Sequence, residues 1–217
     1  MLILMDRYAA RMVTPRAPED LTARARIRDA AFALIAEQGV RGTTLRGIAG
    51  AAGVSPALVN HHYGSKQGVV DAVAEWVFNL LRSATELGPQ SNDPAEASSR
   101  RATGFQQLLN SVPMIDAYIR RMLLDDTPEG LDWFARMVDH TAGELRQREE
   151  HGMARPSNDV RAEAAILNIM VLGPILLPRH LEHALAADGA DSEILGRWRE
   201  ATSELLRSAL YPPAHPS

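Results

Sequence analysis

Asn60, His61 and His62 follow one another in the segment between Thr44 and Lys66, with Arg46 before them and Lys66 after. An asparagine side chain pairs through two hydrogen bonds with an adenine edge, and the flanking cations suit phosphate oxygens. That is chemistry for reading a duplex. Patterns for making or breaking bonds do not occur: there is no glycine-rich phosphate loop, no Gly-x-Ser-x-Gly, no His-Glu-x-x-His and no paired catalytic carboxylates. The chain has no cysteine, which removes disulfide scaffolds, thiolate zinc sites and cysteine nucleophiles. His180 and His183 stand three apart with Glu182 nearby, but two imidazoles without a third ligand at sensible spacing fit a solvated helix face better than a metal site. No metal, no cofactor and no enzymatic activity is expected.

The elements that hold these side chains follow from spacing and punctuation. Ile27, Ala31, Leu34 and Ile35 recur at i, i+4, i+7 and i+8, which predicts a helix from Thr22 that stops at Gly39. Thr44 is a plausible N-cap for a second helix to about Ala52. Gly53 permits a left-handed turn, and Ser55 caps a third helix with Pro56 at its first position, ending near Gly64. Ser65 opens a fourth helix through Val69, Val70, Val73, Val77 and Leu80, to about Arg82. Two short helices around a glycine turn have the spacing of a helix-turn-helix, whose second helix enters the DNA major groove. Ile48, Ala49, Ala52, Val54 and Val59 are apolar where the two helices pack together, while Leu58, Asn60, His61 and His62 project away from that face.

The 217 residues are 46% apolar and 23% charged, which fits a folded globular chain of one large domain or two small ones. The net charge of −4 divides unevenly: residues 1–66 carry +4 and the remainder −8, so a polyanion would meet one end only. Of the 23 cations, Lys66 is the one lysine, a bias that hints at a GC-rich bacterial coding sequence. No strand alternation is evident, and an all-α protein of about nine helices is expected. Helices are predicted at 128–150, 157–173, 175–186 and 191–210 among others, with a polar loop over 87–99 and a break or kink at Gly173-Pro174. The richest apolar stretch, Ala164 to Pro178, holds Asn168 and two prolines and falls short of the roughly 20 residues that span a bilayer. Nothing at the N-terminus reads as a secretory signal, so a cytoplasmic protein with no membrane partner is expected.

Ala30-Ala31, Gly39, Thr43-Thr44, Ile48-Ala49, Gly53-Val54-Ser55, His62-Tyr63 and Ser65-Lys66 together give Thr22 to about Val77 a close resemblance to the DNA-binding domain of TetR/AcrR family transcriptional regulators. The resemblance implies that Thr44 and Arg46 contact phosphate or base, that Ser55, Pro56, Leu58, Asn60 and His62 lie along the groove, and that Lys66 reaches a phosphate. Tyr63 matches a position that packs inward and stays outside this contact set. Two positions depart from the pattern. Gly47 stands where an acidic residue completes a capping box with Thr44, which predicts a weaker helix start. Asn60 stands where tyrosine is usual, so operator preference does not transfer from relatives.

The implied organisation is a mobile arm over 1–20, a helix-turn-helix domain over 21–66, and an effector-binding and dimerisation domain over 67–217. Arg7, Arg11 and Arg16 in the arm are candidates for backbone or minor-groove contact. The implied function is a homodimeric repressor of a palindromic operator, released by a small apolar effector. A ligand-independent regulator or activator, and a helical small-molecule-binding protein or enzyme, are the alternatives. Dimerisation is expected through the helices at about 157–173 and 191–210, using Ala162, Ala165, Ile166, Ile169 and Met170 on one and Leu195, Trp198, Thr202, Leu205 and Ala209 on the other. Phe78, Phe105, Tyr118, Met122, Trp133, Phe134, Met137 and Met170 are candidate pocket lining, with His140 and Asn168 as polar groups inside it. The helix from Ser65, running from Lys66 to Trp76 and Phe78 at the expected pocket floor, is the obvious lever between the two sites.

Overall fold

A computed structural model describes residues 23–85, 94–185, 196–198 and 200–205. The arm at 1–20, most of the 87–99 loop, Leu195 and Ala209 lie outside the described residues. The described residues are helical, with no strand among them: α1 (Ala23–Gly42), α2 (Leu45–Ala52), α3 (Pro56–Tyr63), α4 (Lys66–Thr85), α5 (Pro94–Ser111), α6 (Ile115–Leu124), α7 (Pro128–Glu150), α8 (Val160–Leu176) and α9 (Pro178–Leu185). Residues 196–198 and 200–205 are also helical. No single helix among them is long and apolar enough to cross a membrane, and α8 with α9 reach that length only as a pair bent by 83°.

The chain divides into two compact units. Of the described residues, the first holds those up to Leu80 together with Leu108–Gly130, and the second holds those between Leu81 and Gln107 with those from Leu131 onward. Three helices therefore run from one unit into the other: α4 at Leu80, α5 at Gln107 and α7 at Gly130.

In the first unit α1 is buried on more than one side. Ile27, Ala31, Phe32, Ala33, Ile35 and Ala36 are all buried, because α2, α3 and α6 each pack against it. The single face expected for α1 was too narrow: Phe32 is core, and Leu34 is half-buried. Gly39 does end the regular helix, with φ 74 and ψ 172, a combination essentially confined to glycine. A Cβ at Gly39 would run into the Asp125 carboxylate just beyond α6. The same joint is tied by polar contacts. Arg121 donates to the Glu37 carbonyl (3.2 Å) and to Asp125 (3.3 Å), and Arg41 donates to the Asp126 carbonyl (3.4 Å). Beneath them Ile115, Tyr118, Ile119 and Met122 of α6 are buried, with the Tyr118 ring 5.2 Å from Phe32.

The second unit has a core of Val138, Ala142 and Leu145 on α7 and Ala164 on α8, with Phe134, Val160, Ala165 and Leu167 packed around it. The expected break at Gly173-Pro174 is not there: α8 runs through Pro174 to Leu176, and the chain bends at Leu177, where Pro178 opens α9. Proline at 174 lacks the N–H that would bond the Met170 carbonyl four residues back. The indole N–H of Trp198 donates to that carbonyl instead, at 3.0 Å. Glycine at 173 gives the indole room, since a Cβ there would stand 3.0 Å from Trp198 Cζ2. The proline is tolerated because a neighbouring side chain replaces the missing donor.

Candidate nucleic-acid interface

The helix-turn-helix assembles from local rules. The Thr44 hydroxyl accepts from the Gly47 N–H at 3.0 Å and so starts α2, with no acidic side chain to complete the box. Gly53 ends α2 in the left-handed region at φ 64, ψ 39, which turns the chain sharply toward α3. The Ser55 hydroxyl then accepts from the Leu58 N–H at 3.2 Å, with Pro56 at the first helical position. Ile48, Ala49, Ala52 and Val59 are buried between the helices, and Val54 is half-buried. At the far end the Gly64 N–H bonds the Asn60 carbonyl at 2.7 Å. Ser65 Oγ caps α4 by accepting from the Gly68 N–H at 3.1 Å. Gly68 lies against the Tyr63 carbonyl too closely for any Cβ, so α4 begins tight under the end of α3 and carries Lys66 with it.

This packing leaves one side of α3 bare. Ser55, Pro56, Asn60 and His61 are exposed, and Leu58, His62 and Lys66 are half-buried, as are Tyr63 and Val54 beside them. Thr44 and Arg46 are exposed at the start of α2. The imidazoles of His61 and His62 stand edge to face, 5.4 Å apart. All nine candidate contacts therefore lie on the helix-turn-helix and its junction with α4, with none of them in the core.

Two features of this region were not legible in the sequence. The Tyr63 hydroxyl donates to the Arg24 carbonyl at 2.7 Å, and the Arg24 guanidinium lies 5.5 Å from the centre of the Tyr63 ring. Burial pushes the Tyr63 hydroxyl above its ordinary pKa, opposed by hydrogen bonding from the Arg24 side chain and by its positive charge. Arg28, one turn on, is engaged differently: it pairs with Asp29 at 2.6 Å and lies 4.4 Å from the Trp76 ring centre. Trp76, half-buried, also meets Phe32 edge to face at 5.2 Å within the first unit. No spacing rule links residue 24 to 63.

The candidate effector residues fall into different places. Tyr118 and Met122, at 0% and 1% exposure, are packed into the first unit against α1, and Phe78 lies on the part of α4 that belongs to that unit. Phe105, Trp133, Met137, His140 and Asn168 belong to the second unit, where Trp133 is buried and the other four are half-buried. The Asn168 amide donates to Thr141 Oγ1 (3.1 Å) and to the Ala164 carbonyl (2.8 Å), so a neighbouring helix engages it. His140 Nε2 stands 3.9 Å from Glu144 on the same helix. His180 and His183 are exposed on α9, and among the described residues no three metal-ligating side chains cluster.

Two short helices in this geometry, one cupped under the other with its outer side bare and cations at its flanks, define a helix-turn-helix DNA-binding protein. Residues 27–73 match the family model for bacterial regulatory proteins of the tetR family, and residues 111–210 match the model for the tetracyclin repressor-like C-terminal domain. The chain is 37% identical over 158 residues to the HTH-type transcriptional regulatory protein RaaS of Mycobacterium tuberculosis, covering 73% of this chain and 72% of that one. It is 40% identical over 99 residues to the HTH-type transcriptional regulator BetI of Burkholderia cenocepacia, covering 44% of this chain and 51% of BetI. GusR of Salmonella enterica shares the fold with a TM-score of 0.66 at 15% identity, over 90% of this chain and 97% of that one. The chain belongs to the TetR family of transcriptional regulators. It is a DNA-binding regulator and not an enzyme, and regulators of this family bind operator DNA and are typically dimers.

Proposed function

We propose that the protein is a homodimeric repressor that grips a palindromic operator and lets go when a small apolar molecule occupies its second unit. The bare outer side of α3, from Ser55 to His61, is the observation that carries the DNA half of this reading. In it, Asn60 and His61 meet base edges, Ser55, Pro56, Leu58 and His62 line the groove, and Thr44, Arg46 and Lys66 hold phosphates. Two such surfaces must meet successive major grooves, about 34–36 Å apart, which requires a symmetric pair.

The dimer half is supported by Ile166 and Ile169, 56% and 54% exposed on α8, and by Leu205, 60% exposed. Large aliphatic side chains left this bare in one protomer are what a second copy covers. Ala162 continues the row one turn before Ile166. Trp198 and Met170, in contrast, are engaged with each other inside the protomer.

For release, the effector must bind the DNA-incompetent arrangement better than the competent one. Driving the population from 99:1 to 1:99 takes about 5.5 kcal/mol of differential affinity. Phe105, Met137, His140 and Asn168 are the residues of the second unit we assign to effector contact. Two covalent routes lead from that unit to the DNA-binding helices. One is α4, which begins at Lys66; the other is α6, joined to α5 and α7 and packed on α1. The test is a gel shift on the DNA flanking the protein's own coding sequence, with sedimentation of the complex. A dimer on an inverted repeat is the expected result; a monomer, or no preference over random duplex, contradicts the reading.

A further inference from the structure

Nothing in the helix-turn-helix pattern assigns a DNA contact to α1, yet one of its side chains stands at the edge of the bare surface. Tyr63 is the last residue of α3 and lies one turn beyond Asn60, on the boundary between the packed side marked by Val59 and the exposed side marked by Asn60. Its hydroxyl donates to the Arg24 carbonyl at 2.7 Å, which fixes the start of α1 against the end of α3. The Arg24 side chain is exposed and held over the Tyr63 ring at 5.5 Å. Among the described residues of this unit, Arg28 pairs with Asp29, Arg120 with Asp116 and Arg121 with Asp125. A guanidinium carries five N–H donors, more than one aromatic ring and its hydroxyl can occupy, so an arginine held this way keeps donors for an incoming phosphate. Lys66, three residues after Tyr63, brings a second cation to the same end of α3.

We propose that Arg24, held over the Tyr63 ring, is a phosphate contact on the DNA backbone at the C-terminal end of the recognition helix, paired there with Lys66. Arg46 and Thr44 serve the other flank. The proposal rests on the reading of α3 as the groove-facing helix, and the experiment separates the two.

The probe is a mixed-sequence 30-base-pair duplex, because phosphate contacts are blind to sequence, and the protein is the full chain. Affinity is measured by fluorescence anisotropy over a salt series for wild type, Arg24→Lys, Arg24→Ala, Arg24→Glu, Lys66→Ala and Arg46→Ala. Circular dichroism melts verify that each variant is folded. One lost phosphate contact lowers the slope of log affinity against log salt by about 0.9. Arg24→Ala removes one contact from each protomer of the dimer, so its slope falls by about 1.8 and its deficit against wild type shrinks about twelvefold between 50 and 200 mM salt. Arg24→Lys keeps the wild-type slope, and Arg24→Glu binds more weakly than Arg24→Ala. The Arg24 contact is overturned, with the interface intact, if Lys66→Ala and Arg46→Ala lose slope while Arg24→Ala does not. Unchanged slopes in all three overturn the interface and the Arg24 contact together.

Discussion

Asn60 and Lys66 sit six residues apart and are assigned different tasks, which makes them separable by experiment. An asparagine paired to a base discriminates by about 1–3 kcal/mol, or roughly 5- to 150-fold, at one base pair. Asn60→Ala should therefore change which base is selected at one position of each half-site while leaving affinity for random duplex nearly intact. Selection from a randomised duplex library reads this directly, and an unchanged consensus removes Asn60 from the base contacts. Tyr118 makes a prediction of a different kind. Burial raises its pKa above the ordinary value of 10.0, so the neutral phenol is the form the fold keeps. The sign follows from linkage: the stability contribution is complete below about pH 10, and is lost above it as unfolded tyrosine ionises and the folded one resists. Urea melts across pH 8–11 should show stability falling above about pH 10, and Tyr118→Phe should flatten that fall.

Element boundaries were legible wherever a short-range rule decided them. Thr44, Ser55 with Pro56, Gly53 and Gly64 mark the helix-turn-helix to within a residue, because a cap is a contact between neighbours in the chain. The bend near residue 177 was misplaced because the donor that rescues Pro174 comes from Trp198, and nothing local announces it. The ligand-lining set was blurred for the same reason: Tyr118 and Met122 have the helical spacing of a pocket wall, and only the packing of α6 on α1 puts them elsewhere. Two substitutions probe these long-range joints. Gly39→Ala places a Cβ in a backbone region that costs on the order of 1–3 kcal/mol and drives it into Asp125, so the melting temperature should fall by several degrees. Trp198→Phe leaves the Met170 carbonyl without its donor, a loss of about 1–3 kcal/mol, and should lower stability more than Gly173→Ser does. If Trp198→Phe is neutral, the indole is not what keeps α8 continuous through its proline.

At the scale of the whole molecule, the proposed dimer on DNA accounts together for the charge division, the bare side of α3 and the exposed aliphatic row on α8. In the proposed reading the basic N-terminal third meets DNA, and the acidic remainder keeps the rest of each protomer off the backbone. Replacing Ile166 and Ile169 together with aspartate puts two charges into the proposed seam and should convert the dimer to monomers that keep their helical content. Sedimentation equilibrium checks this, and a double variant that remains dimeric moves the interface elsewhere. The central claim is that two copies present α3 to a single palindrome. Its most direct measurement is in vitro selection of genomic duplex fragments by the full-length protein, with the mass of the resulting complex determined in solution. The account predicts enrichment of an inverted repeat carrying two protomers, or a multiple of two, with recovery lost in Asn60→Ala, Lys66→Ala double variants. Fragments bearing a single unrepeated site, one protomer per duplex, or equal recovery by that double variant would contradict it.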